Sequence, residues 1–310
     1  MYIVVPCYDE EACLDETNDI LMRKNLALAK SKMISMRSRV VYVDDGSRDD
    51  TWGKISRFSK QKEVIGIKLA HNMGHQNALL AGMNYAKEKA DIVVTIDADL
   101  QDDVNAIDAM IREYLNGAEI VYGVRKDRKN DSAFKRDAAQ GFYRFMHFLG
   151  VEVVYNAADF RLMSKRAVNE LMRYDESNVF LRGVIPRIGL KTAKVEYKRG
   201  KRKAGRSKYP LAKMFHFAWD GITSFSVKPI RMIFVMGLLI FILSLGVTAY
   251  AIIQKLVGNT VSGWTFIICS VWLLGGLQIV AIGLVGEYVG KTYIETKRRP
   301  KWVVEEIKEK

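Results

Sequence analysis

A short apolar run that ends in a cluster of carboxylates is the feature that most constrains how this chain can fold. Residues 92–96 read Ile-Val-Val-Thr-Ile, and Asp97, Asp99, Asp102 and Asp103 follow directly. A β-branched run of this kind is typical of a buried parallel strand. Open α/β sheets bind their ligands beyond the carboxyl ends of such strands. The sequence therefore predicts an α/β sheet with a ligand site at this strand end.

The two acids nearest the strand suit a divalent cation. Asp97 and Asp99 lie two residues apart, so both side chains can turn toward one ion where the strand ends. Hard oxygen ligands favour Mg²⁺ or Mn²⁺, which usually hold substrate phosphates as well. The alternative interpretation is a polar strand end in which Asp102 and Asp103 stabilise the first turn of the next helix.

The start of the chain shows a related arrangement. Residues 1–7 form the first predicted strand, in which Pro6 marks the transition to a loop. Tyr8 then offers a flat face, and Asp9 and Glu10 offer acceptors, so that a base or a sugar ring could rest there. Helix capping by Asp9 is the alternative.

A second strand also ends in acids. Residues 39–43 are apolar and lead into Asp44 and Asp45, which could accept a hydrogen bond from a nucleobase imide or a ribose hydroxyl. Gly46 permits a sharp turn. The alternative is a turn that caps the helix predicted at 51–61. The two acid clusters, after the strands at 39–43 and 92–96, are informative because both would lie along the same edge of the sheet.

The order of predicted elements indicates a doubly wound sheet that is mostly parallel. The other predicted strands are 64–69, 92–96, 119–124 and 191–198, and the helices are 14–33, 51–61 and one that ends near Asn116. Small residues at Ala78, Ala81 and Gly82 let a helix lie close to the sheet. The sequence has neither GxGxxG nor GxxxxGK[ST], which excludes those two phosphate-binding loops.

His71 and His75 stand four residues apart, as a metal pair on a helix would. Gly74 lies between them at the predicted helix start, and no HExxH-type glutamate is present, which argues against a metal pair. Asn72 and Gly74 are predicted instead to shape a loop beside a donor pocket.

Basic residues concentrate in two later segments. Arg125 and Arg128 end the fifth strand and Arg136 follows on a predicted helix, where guanidinium groups could bind phosphate through paired hydrogen bonds. A solvated charged face is the alternative. Residues 199–209 combine many Lys and Arg residues with two glycines, which suits a phosphate-rich substrate or an anionic membrane surface.

Asp159 lies between Ala158 and Phe160 in a predicted extended segment, 156–162. A partly buried carboxylate in such surroundings is a candidate functional group. A salt bridge between neighbouring elements is the alternative.

Two uncharged apolar runs dominate the C-terminal third of the chain. Residues 232–253 and 264–286 are each long enough to cross the hydrocarbon core of a bilayer, and neither lies near the N-terminus as a signal peptide would. Lys and Arg are dense outside the two runs, whereas the connection between them holds only Lys255. The positive-inside rule therefore places both termini in the cytoplasm. Apolar residues from Leu211 to Phe225 recur at helical spacing, which fits an interfacial helix or an ordinary core helix.

The formal net charge of +13 indicates attraction to anionic lipid or phosphate, and no nucleic-acid-binding motif is present. Cys7, Cys13 and Cys269 show no metal-binding spacing. Glycines at 275, 276, 283, 286 and 290 could form small-residue interfaces between membrane helices, so a homo-oligomer is possible.

Taken in order, these motifs resemble glycosyltransferase family 2, and within it the polyprenyl-phosphate glycosyltransferases (bactoprenol glucosyltransferases and dolichol-phosphate mannose synthases). The segments that carry the resemblance are 5–10, 44–47, 72–74 with 81–82, 97–102, 159–161 and 205–208, followed by the two apolar runs. The resemblance covers nearly the whole chain. It implies a GT-A fold at 1–209, an interfacial region at 210–230, two membrane helices at 231–288 and a basic cytoplasmic tail at 289–310.

The resemblance also implies roles for individual residues. The nucleotide sugar would be held by Pro6, Tyr8, Glu10, Asp44, Asp45, Asp97 and Arg202. The metal, Mg²⁺ or Mn²⁺, would be held by Asp99 and Gln101. The lipid phosphate would be held by Arg125, Arg128, Arg136, Ser207 and Lys208, with Arg202 and Ser207 in a mobile loop over the donor. The catalytic residues would be Asp97, Asp99 and Asp159, with Asp159 near the sugar.

The expected reaction is an inverting transfer of a hexose from a nucleotide sugar, a UDP-sugar by family habit, to polyprenyl phosphate at the cytoplasmic membrane face. The acceptor phosphate is already ionised, so no strong general base is needed, in agreement with the lack of a nucleophile–His pair in the sequence. A different lipid acceptor and a non-enzymatic nucleotide-sugar sensor or scaffold are the alternatives. No QxxRW-type sequence marks a polymer synthase.

Overall fold

The computed structural model describes residues 1–126, 157–176, 180–198, 200, 228–257 and 263–310. These residues divide into two compact units. The first unit holds the described residues up to 200 together with Arg299–Lys310. The second unit holds the described residues from 228 to Arg298.

Strands and helices alternate along most of the first unit. Its strands are β1 (Tyr2–Cys7), β2 (Arg39–Asp44), β3 (Val64–Leu69), β4 (Ile92–Thr95), β5 (Ile120–Arg125), β6 (Ala157–Ser164), β7 (Thr192–Tyr197) and β8 (Val304–Lys308). Its helices are α1 (Glu11–Lys30), α2 (Thr51–Phe58), α3 (His75–Ala86), α4 (Ala106–Leu115), α5 (Lys165–Met172) and α6 (Leu181–Arg187). The strands predicted from the sequence at the start of the chain and around residues 64, 92, 120 and 192 are confirmed.

The strands form one sheet in the order β7-β5-β6-β4-β1-β2-β3-β8. The pairs β1–β2, β1–β4, β2–β3 and β5–β7 are parallel, and the pairs that involve β6 or β8 are antiparallel. The predicted α/β fold with a mostly parallel sheet is therefore confirmed. Because β1, β2 and β4 run in the same direction, their carboxyl ends meet at one edge.

Continuous apolar runs explain the buried central strands. All six residues of β1 are buried, as expected for a strand with helices on both faces. One face packs on α1, α2 and α4, and the other packs on α3 and α5. Gly82 allows the close approach of α3, since a Cβ atom there would clash with the side chains of Val4 and Val43. The predicted close helix–sheet contact at Gly82 is confirmed.

The strand β6 occupies a place in the sheet that the sequence did not predict. Residues 156–162 were expected to be extended, but the structure inserts β6 between β4 and β5, antiparallel to both. The charged residues Asp159 and Arg161 interrupt the apolar pattern by which a central strand is recognised. Since Thr95 of β4 faces Arg161, the first residues of β6 lie at the edge where β4 ends.

The C-terminal segment also joins the sheet. β8 pairs with β3, and the Nζ atom of Lys68 lies 3.0 Å from a carboxylate oxygen of Glu305. The ammonium group of Lys308 lies 5.4 Å from the ring centre of Trp52. The sequence predicted a basic tail at 289–310, and β8 was not foreseen because its residues Val-Glu-Glu-Ile-Lys lack a long apolar run.

The second unit contains two long helices, α7 (Lys228–Leu256) and α8 (Trp264–Thr296). In the described part of the chain, no helix is both long and apolar enough to cross a membrane. The spans predicted at 232–253 and 264–286 stay predictions. Most of the predicted interfacial region, 210–227, lies outside the described residues.

Candidate active site

The loop after β2 is built around Asp45. Its two carboxylate oxygens accept hydrogen bonds from the backbone N–H groups of Met73 (2.7 Å) and Gly74 (2.9 Å). The two hydrogen bonds lower the pKa of Asp45, but burial has the larger effect and raises it above the usual value. Asp45 therefore fixes the loop that leads into α3.

Gly46 follows in a left-handed conformation, with φ of 69°, and a Cβ atom there would lie 2.7 Å from the backbone nitrogen of Asn72. Only glycine fits this turn without strain. The sharp turn predicted at Gly46 is therefore confirmed. Asn72 and Gly74 lie in the loop before α3, and its place beside a donor pocket stays a prediction.

Asp44 is fully buried at the end of β2, where it faces Cys7 of β1. One oxygen accepts a hydrogen bond from the backbone N–H of Ser47 at 3.2 Å, and the other has no partner among the described residues. Burial raises the pKa of this carboxyl group. Asp44 thus retains acceptor capacity, whereas both oxygens of Asp45 are already engaged.

Acids next to the predicted site residues accept hydrogen bonds in the loops that lead into α1, α2 and α4. Asp49 accepts hydrogen bonds from the backbone N–H of Thr51 (3.1 Å) and from its hydroxyl group (2.6 Å). Asp9 accepts from the backbone N–H of Arg48 at 2.8 Å, so that it ties two loops together and does not cap α1. Asp103 accepts from the backbone N–H of Asn105 at 2.9 Å, just before α4.

Asp97 and Asp99 have different surroundings beyond the end of β4. A carboxylate oxygen of Asp97 lies 3.0 Å from Nε2 of His75, the first residue of α3, and about two fifths of each side chain is exposed. Burial opposes protonation of His75, but the Asp97 carboxylate outweighs this effect and raises the pKa of the imidazole. Asp99 is turned instead toward α1, where it lines a cavity with Cys13.

This cavity of about 380 Å³ lies between α1 and residues 99–105. Its wall includes Glu10, Asp99 and Gln101 from the predicted site. The loop is anchored to α1 because the hydroxyl group of Thr17 donates to the carbonyl oxygen of Ala98 at 2.6 Å. The cavity therefore brings together side chains from the ends of β1 and β4.

Cys13 contributes a thiol to the same wall, and this thiol donates to a carboxylate oxygen of Glu10 at 3.3 Å. Burial and the negative charge of Glu10 raise the pKa of the Cys13 thiol to about 12. The thiol is therefore protonated at neutral pH and is not an activated nucleophile.

Asp159 is contacted by two guanidinium groups at this edge. The guanidinium group of Arg182 approaches it with two nitrogens, Nη2 at 3.0 Å and Nε at 3.3 Å. Nη2 of Arg161 contacts the same carboxylate from within β6. Burial alone would raise the pKa of Asp159, but the two guanidinium groups hold it well below its usual range. The salt bridge between neighbouring elements that the alternative interpretation predicted is therefore present, and the electrostatic interaction of Asp159 with His75 keeps it at the candidate site.

Arg125 is half-buried and contacts Asp102 in the loop after β4. Its Nη2 atom is 3.5 Å from a carboxylate oxygen of Asp102, and its Nε donates to the hydroxyl group of Tyr197 at 3.3 Å. The Tyr197 hydroxyl group donates in turn to Asp102. This network ties Arg125, at the end of β5, to Asp102 in the loop after β4 and to Tyr197 of β7.

A divalent cation fits the donors at Asp99. The described residues contain no group of three His, Cys, Asp or Glu side chains that could form a metal site from protein alone. Magnesium, however, is commonly bound by one or two carboxylates together with substrate phosphates. Asp99 offers such a carboxylate to the cavity, and Gln101, whose backbone carbonyl oxygen accepts the Gly200 N–H at 2.7 Å, lines the same cavity.

Five predicted site residues lie outside the described residues: Arg128, Arg136, Arg202, Ser207 and Lys208. Pro6 is buried within β1, and Tyr8 is half-buried directly after it. Their roles, like those of the other predicted site residues, stay predictions.

Sequence analysis missed three residues at this edge. His75 was considered only as a metal ligand with His71, and Arg182 was not considered at all. Gln76 was missed as a support: its side-chain oxygen accepts the Leu181 N–H at 2.7 Å and so joins α3 to α6. These residues come from α3 and α6, and their sequence positions gave no signal that the two helices meet at Asp159.

The site geometry agrees with the sequence comparisons. The model for Glycosyl transferase family 2 matches residues 2–172, and the model for the GtrB C-terminal hairpin matches residues 228–292. The chain therefore belongs to glycosyltransferase family 2, as its motifs predicted, and is a glycosyltransferase.

Relatives match over almost the full length. The chain is 52% identical to the uncharacterized glycosyltransferase YkoT of Bacillus subtilis (strain 168), over 98% of this chain and 90% of that protein. It is 35% identical to the prophage bactoprenol glucosyl transferase homolog of Escherichia coli (strain K12), over 99% and 98% of the two chains. It is also 35% identical to the bactoprenol glucosyl transferase of Shigella phage SfV, over 99% of each.

Proposed function

We propose that the protein transfers a hexose from a nucleotide sugar to polyprenyl phosphate, with inversion at the sugar carbon. The full-length similarity to proteins named bactoprenol glucosyl transferase carries this proposal. UDP-glucose and UDP-N-acetylglucosamine are the donors that we would test first.

The charged residues at the sheet edge suit this chemistry. A phosphate oxygen of the acceptor attacks C1 of the sugar, the C1–O bond to the nucleoside diphosphate breaks, and the diphosphate leaves with the bonding electrons. The acceptor is already an anion, so the enzyme must mainly align two anionic substrates and stabilise the leaving group. Among the described residues, the edge offers carboxylates and guanidinium groups for this task and no activated thiol.

Each region of the edge has a proposed task. Asp44, of which one oxygen has no partner among the described residues, would accept a hydrogen bond from the nucleoside, and Asp45 would hold the loop beside it. Asp99 would hold a divalent cation, which when bound supplies positive charge to the leaving diphosphate. Asp159 would contact the sugar while Arg161, buried beside it, keeps it ionised.

We further infer that the second unit holds the enzyme at a membrane, with the first unit on the cytoplasmic side. Large apolar side chains on α7 and α8 are exposed, among them Phe234 (70%), Leu243 (67%) and Ile279 (72%). Exposed apolar surface on this scale is typical of a membrane or protein contact. The basic residues around the two apolar runs support the cytoplasmic orientation.

A transfer assay tests the proposed reaction. Purified protein in detergent is incubated with undecaprenyl phosphate, Mg²⁺ or Mn²⁺ and a panel of radiolabelled nucleotide sugars. We expect label to enter an acid-labile lipid with one of the donors. Label in an acid-stable lipid would identify another lipid acceptor. Binding of UDP without transfer to any lipid would overturn the proposed reaction in favour of a sensor or scaffold.

A further inference from the structure

The inference concerns Arg182, which none of the family motifs includes. One carboxylate, Asp159, is contacted by two guanidinium groups that differ in exposure. The side chain of Arg161 is 3% exposed, whereas that of Arg182 is 36% exposed. One arginine is therefore buried with the carboxylate, and the other is accessible from the site.

Arg161 alone can keep Asp159 paired. It belongs to the same strand, and its Nη2 also donates to the carbonyl oxygen of Ala158 at 3.4 Å. Its Nε atom is buried without a partner among the described residues, as is the hydroxyl group of Tyr122, the cross-strand neighbour of Arg161. A buried guanidinium group in such surroundings needs its carboxylate, because separating them would leave a charge unpaired in the interior.

The backbone at Arg182 is anchored by contacts other than the ion pair with Asp159. It is the second residue of α6, and the Leu181 N–H before it is fixed to Gln76 of α3. Leu181, Val184 and Ile185 of the same helix are buried in the core. The guanidinium group can therefore leave Asp159 while the main chain stays in position.

We propose that Arg182 binds a substrate phosphate group, for which it exchanges its contact with Asp159. Arginine is suited to this exchange because the fork that matches a carboxylate also matches a phosphate. Asp159 remains paired with Arg161 during the exchange, so no charge becomes unpaired. The assignment depends on the proposed function only for the identity of the phosphate, which belongs to the donor diphosphate or to the prenyl phosphate acceptor.

The test compares Arg182→Gln and Arg182→Lys with Arg187→Gln, a variant with the same charge change at an exposed position on the same helix. The affinities of UDP, with and without Mg²⁺, and of farnesyl phosphate are measured by calorimetry for each protein. We expect Arg182→Gln to weaken one of the two ligands at least tenfold, with partial recovery in Arg182→Lys and no change in Arg187→Gln. Weaker UDP binding assigns the residue to the donor, and weaker farnesyl phosphate binding assigns it to the acceptor.

Unchanged affinity for both ligands in a folded Arg182→Gln protein would overturn the proposal and leave Arg182 as a structural partner of Asp159. If that variant does not fold, Arg182→Lys decides the matter, since it keeps the charge and loses the fork. In that variant we expect severalfold weaker binding of one ligand, and wild-type affinity for both would overturn the proposal. A wild-type protein that binds the ligands but transfers no sugar would refute the proposed function without affecting this comparison.

Discussion

Asp45 and Asp159 are both largely buried carboxylates at the same edge of the sheet, yet their partners differ in kind. Asp45 accepts two backbone N–H groups, and burial still raises its pKa. Asp159 is contacted by two guanidinium groups, which lower its pKa against the effect of burial. A backbone amide cannot leave, whereas an exposed arginine can be exchanged. The β2 end of the edge is therefore a fixed support, and the β4–β6 end contains groups that a substrate can redirect.

The largest expected effect lies at the β4 end. Asp99→Ala should reduce metal-dependent transfer by about 10² to 10³-fold, since it removes a charged group that acts on the leaving diphosphate. The melting temperature should change little, because the half-buried Asp99 lines a cavity instead of the apolar core. Initial transfer rates at saturating Mg²⁺ measure the effect, with Asp91→Ala, an exposed acid before β4, as the control. Near-normal turnover would refute the metal assignment.

The second prediction concerns the charge on Asp159. Asp159→Asn should destabilise the first unit by about 3 kcal/mol at pH 7, because Arg161 would remain buried without an anion. The folded-state pKa is below the unfolded value of about 3.9, so the stabilisation is complete above that pH and is lost as the pH falls through the folded value. The free energies of unfolding of the wild type and of Asp159→Asn should therefore begin to converge only below about pH 4.

Denaturant unfolding at a series of pH values measures this difference. Asp175→Asn is the matched control, since that carboxylate is 84% exposed and its contact with Lys301 contributes little. A difference between wild type and Asp159→Asn that stays constant from pH 7 to pH 3 would show that the ion pair is not its cause.

Sequence prediction succeeded for features that local sequence determines and failed for those that depend on contacts between elements. The parallel strands and the turn at Gly46 were predictable because local sequence determines them: apolar β-branched runs and a left-handed glycine. β6 was not recognised as a central strand, because its charged residues are buried only through tertiary pairing with each other and with Arg182. The same holds for Arg125, whose partners Asp102 and Tyr197 are 23 and 72 residues away along the chain. Side-chain pairs across elements depend on how the elements pack, which local patterns do not reveal.

The third prediction tests the fixed support at the β2 end. Asp45→Asn should lower the free energy of unfolding by about 1–3 kcal/mol, because an amide nitrogen would face one of the two backbone N–H groups and leave it unpaired. Asp44→Asn is the matched comparison: it keeps an oxygen for the Ser47 N–H and places its NH₂ group where the structure has an unpartnered oxygen. It also removes a buried carboxylate whose pKa is raised, so its stability should equal or exceed that of the wild type at neutral pH, where the wild-type carboxyl group would have to be charged in the interior. Equal losses in both variants, measured by thermal unfolding, would contradict the distinction between the two acids.

The smallest expected effect is that of His75→Gln, which tests whether a contact at the β4–β6 end acts on a substrate without being needed for folding. His75→Gln removes an imidazole that is 41% exposed from a carboxylate that is 40% exposed. A contact with this much solvent access contributes little to folding, so the free energy of unfolding should change by less than about 1 kcal/mol. If His75 orients Asp97 toward the donor, the KM for the nucleotide sugar should still rise by a few fold, while the KM for polyprenyl phosphate stays constant.

The control for this variant is His71→Gln, because His71 is exposed and only His75 of the two histidines contacts Asp97 among the described residues. Steady-state transfer rates, measured with each substrate varied in turn, give the two KM values for both variants. A rise in both KM values of His75→Gln, or in neither, would show that the contact between His75 and Asp97 does not position the donor. A rise for the nucleotide sugar alone would mean that the β4–β6 end acts on the donor through a contact that folding does not require.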